Sequence, residues 1–299
     1  MIQVENLTKD YGSGRGVFDV SFEVNKGEVF GFLGPNGSGK TTTIRHIMGF
    51  SNPDSGQTRV FGKNSAKYYY KILANVGYLP GELAFPDGLS GIEFLKIMQD
   101  LRHSKNNERM NYLMDKFDLD PKDDLKRMPL GAKRKLAIVA AFMSDPEVLV
   151  LDEPTSSLDP IMQEQFIDFI KEEKKRGKTI LLSSHIFHEV DLTCDRIAII
   201  KDGKLVSIFI ADDLRHNENK NFKIEFTSKA SYEKFISSGF NIYYQNPEKL
   251  KVKFSINDDH INDFIGAASD VKYLSEIKFT LEDYFMKFYR EYKEFGGEL

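Results

Sequence analysis

The sequence predicts an α/β fold with a parallel-sheet core, followed by a small α+β domain, and three observations lead to it. Apolar runs of strand length recur at Val29–Leu33, Val148–Leu151 and Thr179–Leu182, the last two separated by an amphipathic helical stretch. Buried strands alternating with helices are the pattern of a parallel sheet covered by helices. The Val29 run feeds a glycine-rich loop that opens a helix, from Lys40 to about Gly49. Beyond residue 220 the order of strand-like and helical stretches becomes β-α-β-β-α-β.

Taken in chain order, residues 2–24 alternate short β-prone stretches with polar turns. Residues from about 82 to 143 carry helical spacing (Ile92, Leu95, Met98; then Met110, Leu113, Met114, Phe117), interrupted by polar loops such as Asp118–Lys126, and read as an inserted helical subdomain. The polar, turn-rich segment His216-Asn217-Glu218-Asn219-Lys220-Asn221 marks a boundary, giving domains at 1–215 and 220–299. In the second, strands are expected at Phe222–Thr227, Phe240–Gln245, Leu250–Ser255 and Val271–Ile277, with helices at Ser231–Ser237 and Asp258–Ala268. A terminal helix, about Thr280 to Phe295, carries Phe285, Phe288, Tyr289 and Tyr292 as dimer or core packing.

Composition narrows the function classes. Of the 299 residues, 41% are hydrophobic and 29% charged, which suits a globular chain and excludes collagen-like, coiled-coil and wholly disordered ones. The net charge of −4 lacks the basic footprint of a nucleic-acid binder, so no nucleic-acid partner is expected. The one cysteine, Cys194, cannot close an internal disulfide, and residues 1–5 lack the basic-then-apolar pattern of a secretion signal, which points to the reducing cytosol. The best apolar run, Leu136–Met143, falls far short of the ~20 residues that cross a bilayer, so membrane work requires a separate partner.

The chemistry concentrates in two motifs. Gly34-Pro35-Asn36-Gly37-Ser38-Gly39-Lys40-Thr41-Thr42 fits the P-loop pattern, set between a predicted strand and a predicted helix. Its glycines allow a turn whose N–H groups converge on phosphate oxygens, the helix N-terminus adds its positive end, and Lys40 supplies a point charge. The Thr41 hydroxyl suits Mg²⁺. The second motif is Val148-Leu149-Val150-Leu151-Asp152-Glu153, an apolar strand ending in two carboxylates. Because side chains alternate along a strand, the pair is expected on opposite faces, with Asp152 in the metal shell and Glu153 polarising an attacking water.

With Ser157-Leu158-Asp159-Pro160 and Ser183-Ser184-His185 following in order, the chain resembles the ATP-binding-cassette ATPases from about residue 2 to 210. The resemblance implies a P-loop NTPase core with an antiparallel β subdomain and a helical subdomain, ATP and Mg²⁺ as bound groups, and a head-to-tail dimer with itself or a second cassette subunit. It implies that Tyr11 stacks on adenine, that Asn36, Gly37, Ser38, Gly39, Lys40, Thr41 and Thr42 surround the phosphates, and that His185 contacts the γ-phosphate. It also assigns Asp159 to a loop coupling the two ATP sites. Unaided, Tyr11 reads as packing, His185 as a core histidine and His188 as surface or packing.

Two positions depart from the family pattern. Gly81 stands where the family has a glutamine that touches metal and water, followed by Glu82. The signature loop, leucine-serine-glycine-glycine-glutamine in the family, aligns with Met128-Pro129-Leu130-Gly131-Ala132, and only Gly131 survives. That loop is expected to reach the γ-phosphate on a partner's P-loop. Pro129 brings neither hydroxyl nor N–H, and one lost hydrogen bond to a charged group costs roughly 1.5–3 kcal/mol. Lys133, Arg134 and Lys135 either offset this by charge or form a solvated helix face.

Residues 77–82, the stretch beginning Phe85-Pro86-Asp87-Gly88-Leu89-Ser90-Gly91 and the tail Thr280–Met286 resemble ATPases of Gram-positive drug, bacitracin, lantibiotic and cytolytic-peptide exporters. This resemblance implies a separately encoded six-helix permease, and a chain peripheral on the inner face of the cell membrane through it. The competing readings are a soluble cassette acting on ribosomes or nucleic acid, and a regulatory subunit that binds ATP with little turnover.

Overall fold

The computed structural model describes residues 1–102, 107–215, 219–277 and 280–290. Its internal contacts divide the chain into Met1–Ala211 and Asp212–Leu299.

In the first unit, β1 (Ile2–Asp10) and β2 (Gly16–Val24) form an antiparallel hairpin. Along β2, Val20, Phe22 and Val24 are buried and the residues between them are exposed, the period of two expected of a sheet with one covered face. β3 (Val29–Leu33) is buried throughout, as a central strand must be, and leads through the glycine loop into α1 (Lys40–Ile47). β4 (Ser55–Val60) and β5 (Lys63–Asn64) complete an antiparallel sheet of order β2-β1-β4-β5. The Asn64 side chain caps α2 (Ser65–Leu73), which is followed by β6 (Val76–Leu79).

Three helices then fill the stretch expected to be helical: α3 (Gly91–Leu101), α4 (Asn107–Lys116) and α5 (Leu130–Phe142). A reciprocal Ser90–Glu93 capping box starts α3. Pro129 starts α5 without any side-chain cap bond. β7 (Val148–Asp152) returns the chain to the core, and α6 (Pro160–Lys175) begins where the Asp159 carboxylate accepts from Met162 N, with Pro160 in the first turn. β8 (Thr179–Ser184), α7 (Phe187–Thr193), β9 (Arg196–Lys201) and β10 (Lys204–Ile210) follow, and α8 (Ala211–Arg215) runs across the division between the units.

The main sheet has the order β10-β9-β3-β8-β7-β6, parallel except for the antiparallel edge strand β10. Parallel strands deliver their C-terminal ends to one edge, so the loops after β3, β6, β7 and β8 meet there. This is the predicted parallel-sheet core, and the edge positions the site.

The second unit runs β11 (Asn219–Phe226), α9 (Lys229–Ile236), β12 (Asn241–Asn246), β13 (Lys251–Asn257), a 3₁₀ turn at Asp258–His260, α10 (Ile261–Ala267), β14 (Val271–Ile277) and α11 (Leu281–Arg290). Its antiparallel order, β12-β13-β11-β14, is that of the split β-α-β arrangement. Ile224, Phe226, Phe235, Val252, Phe254 and Phe264 form a core of its own, with the Phe235–Phe254 ring centroids 5.0 Å apart. Phe285 of α11 is buried. His216–Glu218 of the expected boundary, and the expected helix beyond Arg290 with Tyr292, lie outside the described residues. Among the described residues no helix is long and apolar enough to cross a membrane.

Candidate nucleotide site

The loop after β3 is shaped by its glycines. Gly39 sits at φ 109°, and a Cβ there would come within 2.7 Å of Val17 Cγ1, so only glycine fits. Gly37, at φ 81°, has open space where a side chain would stand. Lys40 folds back over the loop, its Nζ donating to Gly34 O at 2.6 Å and Pro35 O at 3.1 Å, and is only 4% exposed. The ammonium is thereby fixed at the N-terminus of α1, where anions are favoured.

Asp152 ends β7 fully buried, with Oδ1 accepting from Ser183 Oγ at 2.5 Å. Burial pushes its carboxyl above the ordinary range, while the bonded Ser183 hydroxyl and the nearby Thr41 hydroxyl pull it down. Its Oδ2, like the buried Oγ of Ser38, has no partner within the protein. Buried polar atoms are ordinarily paired, so the orphaned Asp152 Oδ2, in the lining of the cleft, fits a cation.

Glu153 corrects the strand-alternation reading. The chain leaves β7 after Asp152, and Glu153 turns into the left-handed region at φ 50°, so alternation no longer governs it. Both carboxylates consequently line one cleft instead of opposite faces. Glu153 Oε1 lies 3.0 Å from Lys40 Nζ, and its Oε2 lies 2.5 Å from His185 Nδ1. His185 in turn is no core histidine: β8 ends at Ser184, and the His185 side chain is 46% exposed beyond it. His188 pairs at the surface with Glu164.

The cleft encloses about 690 Å³. Asn36, Gly37, Gly39, Lys40, Thr41 and Thr42 line it, together with Asp152, Glu153 and His185. Gly81 and Glu82 line it as well. Sequence reasoning gave no site role to Arg45, Phe50, Tyr78, Pro80 and Ser156, which come from separate segments. Burial pushes the Tyr78 phenol up to about 12, and the ring meets Phe50 edge-on at 5.5 Å.

Four expected residues do not line the cleft of their own chain: Ser38, whose side chain is buried, and Tyr11, Asp159 and Gly131. Tyr11 stands 52% exposed in the β1–β2 turn, Asp159 is exposed at the cap of α6, and Gly131 lies in the first turn of α5. The basic triplet also needs correcting. Lys135 donates to Asp118 O at 3.3 Å, and Arg134 is 3% exposed and bonded inside the protein, neither solvated nor free to face a phosphate.

Residues 17–156 match the ABC transporter family. The chain is 34% identical over 268 residues to a linearmycin resistance ATP-binding protein of Bacillus subtilis, covering 87% of this chain and 86% of that one. It belongs to the ABC transporter ATP-binding family. It is 31% identical over 295 residues to a bacitracin transport ATP-binding protein of Bacillus licheniformis, across 96% of both chains. A solved ATP-binding subunit of an ABC transporter superposes with a TM-score of 0.67 at 29% identity, over 72% of this chain and 92% of that one. The chain is therefore an ATP-binding subunit of an ABC transporter and an ATPase, and its cassette fold is the one the P-loop and the carboxylate strand predict.

Proposed function

We propose that this cassette hydrolyses MgATP at the cleft after β3 and β7, as one member of a head-to-tail pair that powers a separate membrane permease in drug or peptide export. The observation that carries the reading is the convergence of Lys40, Asp152, Glu153 and His185 from three segments into a single cleft. Among the described residues no cluster of three or more His, Cys, Asp or Glu can hold a metal unaided. A magnesium ion carried by ATP would take Thr41 and Asp152 as its protein ligands, and it supplies charge neutralisation on the phosphates.

The chain's own residues divide the remaining work. Lys40 and the loop N–H groups hold the phosphate chain. Phosphate oxygens compete with Glu153 for the Lys40 ammonium, which frees the Glu153 carboxylate to accept a proton from a water molecule. His185, hydrogen-bonded to the same carboxylate, orients it and donates toward the terminal phosphate. Gly131 and Asp159, away from this cleft, act on the partner's nucleotide, and Tyr11 stacks on the adenine. The intact Lys40–Glu153–His185 chain supports turnover over a purely regulatory role. Export by a chain peripheral to the cytoplasmic face of the membrane is supported by similarity to resistance and bacitracin-transport subunits.

Purification from the host with its membrane partner tests the transport reading. ATP turnover that changes when a co-purifying permease is present supports it. Turnover that responds to ribosomes or nucleic acid, with no permease co-purifying, overturns it.

A further inference from the structure

The side chain of Arg134 makes four hydrogen bonds, all to neutral groups. Nη1 donates to Pro80 O at 2.9 Å, Nη2 to Gly81 O at 2.6 Å and to Ser156 Oγ at 2.5 Å, and Nε to Ser156 O at 3.1 Å. Burial draws the guanidinium below its ordinary range, against the favourable fields of Asp152 and Glu153. A buried cation without a bonded carboxylate is an expensive way to fasten a helix, which points to a role for its placement.

Both segments that it grips abut the two acidic groups. A Cβ on Gly81 would stand 3.2 Å from Asp152 Oδ2, so the backbone at 81 lies directly against that carboxylate. Ser156 N donates to Glu153 O at 3.1 Å, closing the turn in which Glu153 is held at positive φ. Arg134 itself belongs to α5, whose first turn also touches this loop: a Cβ on Gly131 would lie 3.3 Å from Ser157 O. The planar fork therefore joins one helix to the loops flanking Asp152 and Glu153, a geometry that lysine cannot reproduce.

We propose that Arg134 is a positioning residue for ATP hydrolysis, which sets the placement of Asp152 and Glu153 through Gly81 and Ser156 and makes it follow the position of α5. The proposal rests on the roles assigned to those two carboxylates. Its consequence is a selective loss of turnover, because nucleotide is held by the β3 loop, which Arg134 does not touch.

The test measures kcat and KM for ATP, affinity for a fluorescent trinitrophenyl-ATP, and melting temperature for the full chain and its Arg134→Gln, Arg134→Lys and Ser156→Ala variants. Arg134→Gln is expected to lower kcat about ten- to a hundredfold, as a misplacement of about an ångström does, with KM and nucleotide affinity within about twofold of the parent. Arg134→Lys retains the charge without the fork and falls between. Ser156→Ala lowers kcat less, and adds nothing to Arg134→Gln in the double variant, whereas independent roles would multiply. Unchanged kcat in Arg134→Gln overturns the proposal, as does a kcat that falls only in step with the folded fraction. Should Arg134→Gln not fold, parental kcat in both other variants overturns it equally. Glu153→Gln serves as the control: if it too turns over like the parent, the assignment of the carboxylates has failed, and not the role of Arg134 alone.

Discussion

Glu189, in the first turn of α7, is buried with its Oε2 accepting from Ser184 Oγ at 2.6 Å. Burial pushes its carboxyl from an ordinary 4.5 up to about 7. The folded chain therefore keeps a proton that the unfolded chain has released between those values, and stability falls as pH rises from about 4.5 to about 7. The difference amounts to about 3 kcal/mol above that window. Thermal denaturation of the parent and Glu189→Gln across this range should show the parent losing more stability with rising pH. Parallel curves would contradict a buried, protonated Glu189. At this scale the sequence revealed the residues whose spacing carries chemistry, Gly34 to Thr42 above all. It hid the conformation of Glu153, because strand alternation applies only as far as the last laddered residue, and it hid Arg134, because a basic triplet on a helix reads as surface until the helix is packed.

At the scale of elements, the parallel strands were legible as apolar runs, and helices α3 to α5 as spaced apolar residues. Tyr78, Phe50 and Arg45 in the cleft were not, since they are gathered from β6, the stretch after α1 and α1 itself. The start of α5 has no side-chain cap. Pro129 occupies the cap with no side-chain bond, leaving the first turn without the hydroxyl that would face a partner's phosphate. Pro129→Ser is expected to raise turnover of the assembled pair by about tenfold, the equivalent of about 1.5 kcal/mol in the transition state. Unchanged turnover in a steady-state assay would mean that this turn does not meet the phosphate. The second unit's β-α-β-β-α-β order was readable from its β-prone and helical runs, with β13 alternating cleanly, while the antiparallel order of its sheet required the registers themselves.

For the molecule as a whole, one sheet edge brings together groups that are more than a hundred residues apart in the chain, from Lys40 to Glu153 and His185. The same edge leaves Gly131 and Asp159 outside, which is why a second copy or a second cassette subunit enters the proposed function. The central claim, that ATP is split at this cleft with Glu153 receiving the proton, is tested by measuring ATP turnover and ATP binding together in the parent and in Glu153→Gln. The account predicts that the variant binds ATP as the parent does and loses about 10²–10⁴-fold in turnover, the usual contribution of a general base. A variant that turns over ATP at the parental rate would contradict it.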